Sequence, residues 1–369
     1  MKSKCTENLW GKTLILIILI NNFFYQTEQQ INQLYLNVVV LFFLIFPFVL
    51  NKFKTINYKA VLAIYGISFF SFVSFVYASD SFHKHRIAFY MFVFIGYILL
   101  FLSTKTYKTK DDYILFVYLW GSITIIYGFS VYLSGNRQLY SNVNWIPMTL
   151  FYLVALSRFK NIFLSYSLVG MISYFLFISR GTSVSVITAL LVMVTVYLKI
   201  DQGIIRKLII TAYVLMSFFF FIGIDYYYRY PDLADVYIKT VSRRGLGGRD
   251  TALIDGYERL LESNLIGEGI GSAGGVSFEQ FREMKSVHIH FGLLELALKM
   301  SIACPVIMLI ALSRIIIRVK KEWLPGLTGG LMSVFYYNGL APSHFGLNYL
   351  LIILISVSYW DSVESTSGN

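Results

Sequence analysis

Long, nearly continuous apolar runs dominate the chain, with Leu14–Ile20 and Phe218–Phe221 as examples. A helix needs about 20 mostly apolar residues to cross a bilayer. The strict apolar–polar alternation of a membrane β-barrel is absent from the sequence. The pattern therefore predicts an all-α, polytopic membrane protein with about twelve spanning helices. Several of these are short, and one or two are candidates for broken or re-entrant helices. The predicted spans are 12–25, 34–50, 58–77, 86–103, 113–134, 142–157, 162–178, 182–198, 207–224, 291–318, 324–340 and 345–360.

The distribution of lysine and arginine orients these spans. Basic residues cluster at every second connection, as at Lys52 and Lys54. Because positively charged residues are retained on the cytoplasmic side, both termini are predicted to be cytoplasmic. The alternate short connections carry few bases, namely Lys84, Arg86, Arg137 and Arg180.

Composition narrows the function classes. The chain of 369 residues is 57% hydrophobic and 14% charged, which excludes a disordered chain, a collagen-like fibre and an ordinary cytosolic enzyme. The net charge of +11 comes from 31 basic and 20 acidic residues, and such an excess can indicate a nucleic-acid partner. Most of the excess lies at predicted cytoplasmic connections, so we expect no nucleic-acid partner.

The N-terminal segment argues against a signal peptide, and the two cysteines argue against a disulfide framework or a cysteine metal site. Lysines precede the apolar run Thr13–Ile20, but no small-x-small cleavage site follows it, so we predict an uncleaved first membrane helix rather than a signal peptide. Cys5 and Cys304 lie far apart in the sequence, which makes a disulfide framework or a cysteine metal site unexpected.

One long loop divides the chain into helices 1–9 at 1–224, a loop at 225–290, and helices 10–12 with a short tail at 291–369. The loop holds ten of the 20 acidic residues, and parity places it outside the membrane on the side opposite the termini. Long loops in compact proteins are usually functional or disordered. This loop contains apolar residues at helical spacing between Ala252 and Leu261, followed by the glycine-rich turn Gly267–Gly271, which predicts a small helical subdomain.

Arginines at two places are candidates for an anionic ligand. Arg180 stands between two spans, where an unpaired cation is costly, and the alternative is a side chain that extends to the lipid headgroups. Arg243, Arg244 and Arg249 alternate with glycines, a combination that suits phosphate oxygens through guanidinium forks and exposed backbone amides. For this second group, the alternative is a solvated surface turn.

Histidines at the start of the tenth span are candidates for proton transfer. His288 and His290 cannot share one helical face, so at most one would point to a given site. The positive end of a helix dipole favours neutral imidazole, which can act as a base. The alternatives are an interfacial pair or a metal site, for which no further ligand is evident in the sequence.

Two further groups complete the set of candidate residues. The spacing of Glu295 and Lys299 predicts an ion pair that is structural rather than catalytic, and Glu295 is kept as a binding candidate because charges in membrane helices often serve function. Arg137, Asn142 and Asn144, in a short outer loop, suit sugar hydroxyls or phosphate. For this loop, the alternative is a polar turn that ends in a helix cap.

Taken in order along residues 135–300, these motifs resemble the bacterial O-antigen polymerase and O-antigen ligase family. The resemblance is carried by Ser179-Arg180-Gly181, by Gly248-Arg249, by the turn at Leu265–Gly269 and by the run from His290 to Glu295. The chain departs from the family pattern where Val143 stands between two asparagines in place of proline. It also departs at Phe291, which replaces the usual asparagine.

The resemblance implies a metal-independent glycosyltransferase of the bacterial inner membrane whose site faces the periplasm. Arg180 and Arg249 would stabilise the diphosphate leaving group, and His290 would accept the proton of the attacking hydroxyl, with inversion as the simplest outcome. Arg137, Asn142, Asn144, Arg243, Arg244, His288 and Glu295 would bind substrate. The implied partners are an undecaprenyl-diphosphate-linked donor and acceptor, membrane lipids and, as a further candidate, a chain-length regulator; no cofactor is implied.

Three functions remain open from the sequence. Polymerase is favoured over ligase because the chain is compact and rich in Phe and Tyr. A ligase would use the same leaving-group chemistry but transfer the glycan to lipid A-core. A lipid-linked glycan transporter is a third alternative, and it would predict internal repeats and broken helices.

Overall fold

A computed structural model describes residues 58–77, 180–231, 249–269 and 291–333, together with individual positions at 91–101, at 335 and at 352–363. All regular structure in these residues is helical, which confirms the all-α prediction for this part of the chain. The helices are α1 Tyr58–Tyr77, α2 Arg180–Tyr197, α3 Gln202–Arg229, α4 Arg249–Glu262, α5 Gly292–Met300, α6 Ala303–Arg318 and α7 Leu324–Ser333, with a 3₁₀ turn at Lys321–Trp323.

Most of these bounds follow the apolar runs. Helix α1 coincides with the predicted span 58–77, and α2 differs from 182–198 by one or two residues at each end. Helix α3 extends beyond 207–224 at both ends: it begins at Gln202, where Asp201 caps the first turn by accepting the amide of Gly203 at 2.6 Å, and it continues to Arg229. The spans predicted at 12–25, 34–50, 113–134, 142–157 and 162–178 lie outside the described residues.

One described helix, α3, is long and apolar enough to cross a membrane by length and composition. Large apolar side chains point outward from several helices, and more than half of the surface of Phe69 in α1, Phe219 in α3 and Ile307 in α6 is exposed. Helices with such outward faces suit apolar surroundings, as the sequence predicts. By contrast, residues 292–299 of α5 and residues 324–332 of α7 are buried.

Helices α3 and α6 pack against each other and run in opposite directions. At the N-terminal end of α3, Arg206 donates to the carbonyl oxygens of Ile317 and Val319, which close the C-terminal end of α6. Farther along α3, Phe220 stacks on Phe291, just before α5, with 4.7 Å between ring centroids. Therefore α5 lies toward the C-terminal end of α3, opposite the end at which Arg206 stands.

The end of the molecule near Arg206 is held by polar contacts with the C-terminal segment. The indole Nε1 of Trp323 donates to Asp361 at 3.0 Å, and Lys320 lies 3.2 Å from the same carboxylate. Trp323 is fully buried. The backbone amide of Lys320 also donates to Ser362 at 2.9 Å. These contacts fix residues 319–323, and α7, which follows them, packs along α2.

Candidate functional site

The candidate site is the helix junction, which we define as residues 225–230 at the end of α3, helix α4 with its following turn 263–269, and helix α5. Helix α4 contacts both α3 and α5. Its sequence is amphipathic, and Leu260 on its inner side is fully buried while Glu258 and Glu262 are exposed. The predicted helix within the long loop is thus confirmed, and it is seated on the helices that flank the loop.

Tyr257 joins α4 to α3. Its phenol donates a 2.9 Å hydrogen bond to Asp225, and Arg229 donates to both oxygens of the same carboxylate at 3.0 Å. The ring of Tyr228 meets the edge of the Tyr257 ring, with 6.0 Å between centroids. Burial, followed by the hydrogen bond to Asp225, raises the pKa of Tyr257 to about 12, so the phenol is a neutral donor at physiological pH.

Beside this contact, α3 ends in a cluster of tyrosines. The rings of Tyr226 and Tyr230 lie 5.1 Å apart, and about half of the surface of each side chain is exposed. Tyrosine combines an apolar ring with a polar hydroxyl, so it can pack on an apolar face and hydrogen-bond at its tip. Together with the exposed Arg229, this cluster offers a mixed aromatic and polar surface of the kind that suits a sugar ring.

Arg259 fastens the turn 263–269 to the helix that precedes it. Its Nε donates to Oε1 of Glu268 at 2.7 Å, and Nη2 pairs with Oε2, which makes a two-point contact. The carboxylate of Asp255 lies 3.7 Å from the same guanidinium. Burial raises the pKa of Asp255, and Arg259 offsets part of this effect.

The turn contacts the point at which α5 ends and α6 begins. The backbone amide of Glu268 donates to the carbonyl oxygen of Leu298 at 2.7 Å. The amide of Ile302 donates to the carbonyl oxygen of Leu265 at 3.0 Å. Ser301, with a φ of 103°, separates the two helices, and its hydroxyl also donates to Leu265. The span predicted at 291–318 is therefore broken into α5 and α6, at the point where the turn 263–269 contacts it.

Gly267 permits this close approach. Its φ is +84°, and a Cβ atom at this position would lie 2.6 Å from the carbonyl oxygen of Leu298 and 2.7 Å from that of Ala297. Both the backbone conformation and the space exclude a side chain. Gly267, the first glycine of the glycine-rich turn, is thus explained by packing against α5.

A buried ion pair stands inside α5. Lys299 Nζ pairs with Glu295, and these residues are 1% and 3% exposed respectively. The pairing predicted from their spacing is confirmed. The carboxylate of Glu295 faces the protein interior and neutralises a lysine there, which agrees with a structural role; a contact of Glu295 with substrate stays a prediction.

The structure describes three of the predicted site residues. Arg180 is the first residue of α2, Arg249 is the first residue of α4, and Glu295 lies in α5. The packing of α4 on α5 brings together the helix that begins at Arg249 and the helix that begins two residues after His290. The predicted residues outside the described part of the chain are Arg137, Asn142, Asn144, Arg243, Arg244, His288 and His290.

The sequence did not reveal the residues that assemble the helix junction. Asp225 and Arg229 are four residues apart in α3, and that spacing is a readable signal for an ion pair. Arg259 and Glu268 meet across a turn, which no periodicity predicts. Within the described ranges, no group of three or more His, Cys, Asp or Glu side chains is arranged to hold a metal ion.

No protein-family model, curated protein or solved structure matches the chain. The described residues define a helical protein in which one helix is long and apolar enough to cross a membrane. A short amphipathic helix is docked at the C-terminal end of that helix.

Proposed function

We propose that the chain is a multi-pass protein of the bacterial inner membrane that polymerises O-antigen, or a related surface polysaccharide, at the periplasmic face. It would join repeat units carried on undecaprenyl diphosphate. The observation that carries the proposal is the packing of α4, which begins at Arg249, against α5, which follows His290. This contact supports a common site for two motifs that are about 40 residues apart in the sequence.

The proposed chemistry is a displacement at the anomeric carbon of the donor glycan. Positive charge develops on that carbon while the diphosphate departs, so fixed cations near the leaving group lower the barrier. Arg180 and Arg249 would provide these cations, and His290 would accept the proton from the acceptor hydroxyl. The reaction would proceed with inversion and without a metal or another cofactor.

The short connection between α2 and α3 supports a role for Arg180 at the same end of the molecule. Residues 198–201 link the two helices, and connections this short normally join antiparallel neighbours. Arg180 begins α2, whereas the helix junction lies at the end of α3. An antiparallel arrangement would therefore direct both toward one side of the membrane.

The membrane setting rests on the sequence pattern and on the outward apolar faces of the described helices. We propose twelve spans with cytoplasmic termini, in which α3 is one span and α4 lies on the periplasmic surface. The exposed tyrosines Tyr226 and Tyr230 would then stand at the level of the headgroups, within reach of a glycan whose carrier is in the membrane. Arg137, Asn142, Asn144, Arg243, Arg244, His288 and Glu295 stay the proposed substrate-binding set, with a chain-length regulator as a candidate partner.

The direct test is polymer formation by the purified protein from a synthetic undecaprenyl-diphosphate-linked repeat unit, with products separated on a gel. Arg180→Ala, Arg249→Ala and His290→Ala are each expected to reduce the rate by at least about 100-fold. Arg314→Ala, which removes an exposed arginine from α6, is the matched control and should keep normal activity. Full activity in all three variants would reject the site, and an inactive wild-type protein would reject the polymerase function.

A deletion strain separates the proposed polymerase from the alternative ligase. Loss of a polymerase leaves lipid A-core that bears a single repeat unit. Loss of a ligase leaves bare core, while polymer accumulates on the carrier. We expect the first pattern on a lipopolysaccharide gel, and the second pattern would contradict the proposal.

A further inference from the structure

The break between α5 and α6 is maintained by an exchange of hydrogen bonds. The amide of Ile302 and the carbonyl of Leu298 are four residues apart, so they would bond to each other in a continuous α-helix. In the structure, Leu298 accepts from Glu268 at 2.7 Å and Ile302 donates to Leu265 at 3.0 Å. The turn 265–268 therefore replaces one helical bond with two bonds of its own.

Strain accompanies this exchange. Asn264 and Leu265 have φ values of 52° and 64°, and Ser301 on the opposite side of the contact has a φ of 103°. Residues other than glycine are held in such conformations only where the surroundings demand it, and they concentrate at sites that switch. At Asn264 and Leu265 the positive φ belongs to the end of α4, where their amides donate to the carbonyls of Leu261 and Leu260. At Ser301 it accompanies the contact with the turn, and separation of the two surfaces would relieve it.

Little rearrangement separates the two helices from one continuous helix. Helices α5 and α6 are separated by Ser301 and Ile302 alone, and the amide of Ser301 already donates to Ala297 at 2.7 Å, as in a helix. Pro305 lies in the first turn of α6, where its missing amide has no consequence. In a joined helix, Pro305 would produce a kink, so it favours the split form.

We propose that the turn 265–268 is a reversible wedge, and that α5 and α6 join into one helix, kinked at Pro305, when the wedge leaves. The docked form holds α4 against α3 and α5, while the joined form releases α4 together with its turn. The Arg259–Glu268 pair holds the wedge in its docked shape on α4, and release of α4 also breaks the hydrogen bond of Tyr257 to Asp225. The inference concerns a conformational equilibrium, and it stands apart from the proposed glycosyl transfer.

The test measures the distance between spin labels on Glu258 of α4 and Ile310 of α6, both exposed, in full-length protein whose two cysteines have been replaced. Gly267→Ala should move the distribution to longer distances, because its Cβ cannot fit against Leu298. Glu268→Gln, which weakens the pair with Arg259 but keeps the backbone, should give a smaller shift. Gly223→Ala is the matched control, since a Cβ there has nothing within 4 Å, and it should keep the wild-type distances.

Two substitutions in the background of Glu268→Gln test the joined helix itself. Ser301→Gly relieves the positive φ and disfavours helix, so the docked fraction should rise relative to the undocked fraction by about fivefold. Pro305→Ala removes the kink and should shift the same ratio by at least about fivefold in the opposite direction. If neither Gly267→Ala nor Glu268→Gln changes the distances, the wedge is overturned. If neither Ser301→Gly nor Pro305→Ala changes the ratio of docked to undocked protein, the joined helix is overturned.

Discussion

The phenol of Tyr257 donates a hydrogen bond of 2.9 Å to the carboxylate of Asp225, and this contact ties the surface helix α4 to the end of α3. Asp225 also accepts from Arg229, so the carboxylate retains a partner when the phenol is removed. We predict that Tyr257→Phe lowers the free energy of unfolding by about 1 kcal/mol. Equilibrium denaturation of the purified protein in detergent measures this change, and a loss within error of zero would contradict it.

The same contact predicts a dependence on alkaline pH. The pKa of Tyr257 is raised from 10.0 in the unfolded chain to about 12 in the fold, so the fold favours the protonated phenol. Its contribution is complete below pH 10 and is lost as the pH rises through about 12. The stability difference between wild type and Tyr257→Phe should therefore be constant from pH 7 to pH 10 and shrink above that range, as thermal unfolding across the series would reveal.

Gly267→Ala is predicted to destabilise the helix junction. The new methyl group would approach the carbonyl oxygens of Ala297 and Leu298 to less than 3 Å, in a backbone conformation with positive φ. We expect a loss of about 1–3 kcal/mol, together with faster proteolysis within residues 263–269. Gly223→Ala, in open space on α3, should cost nothing measurable, and equal behaviour of the two variants would refute the steric argument.

We predict that the loss of stability on changing the buried Glu295–Lys299 pair depends on whether one or both residues are replaced. Replacing Glu295 alone by Gln leaves Lys299 charged inside the protein and should cost about 3–5 kcal/mol. Replacing both residues, as Glu295→Leu with Lys299→Met, should recover most of that loss, because no uncompensated charge remains. A double-mutant cycle of Glu295→Leu, Lys299→Met and the double variant measures the coupling, and additive losses would show that the pair contributes little.

The proposed reaction predicts a simple response to small molecules. Because arginines rather than a metal would stabilise the leaving group, a chelator should leave polymer formation unchanged. Inorganic diphosphate should inhibit, because it resembles that leaving group. Assays of the purified protein with EDTA and with diphosphate test both statements, and loss of activity in EDTA that added Mg²⁺ restores would contradict the first.

Local features of the fold were predictable, whereas contacts between distant segments were not. Apolar runs predicted α1 to the residue, and the four-residue spacing predicted the pair of Glu295 with Lys299. The break at Ser301 was invisible, because it depends on a turn more than 30 residues earlier and the apolar pattern continues across it. Likewise, the sequence predicted Tyr257 only as part of the apolar face of a helix, because its partner Asp225 is 32 residues away.

Splitting the predicted span also changes how much membrane α6 can cover. Its 16 residues extend about 24 Å, which is short of the roughly 30 Å hydrocarbon layer of a typical bilayer. In the proposed membrane setting, this mismatch favours a locally thinner bilayer beside α6. The thinning would draw the headgroup plane inward next to α5, and so bring the headgroups of lipids closer to the helix junction.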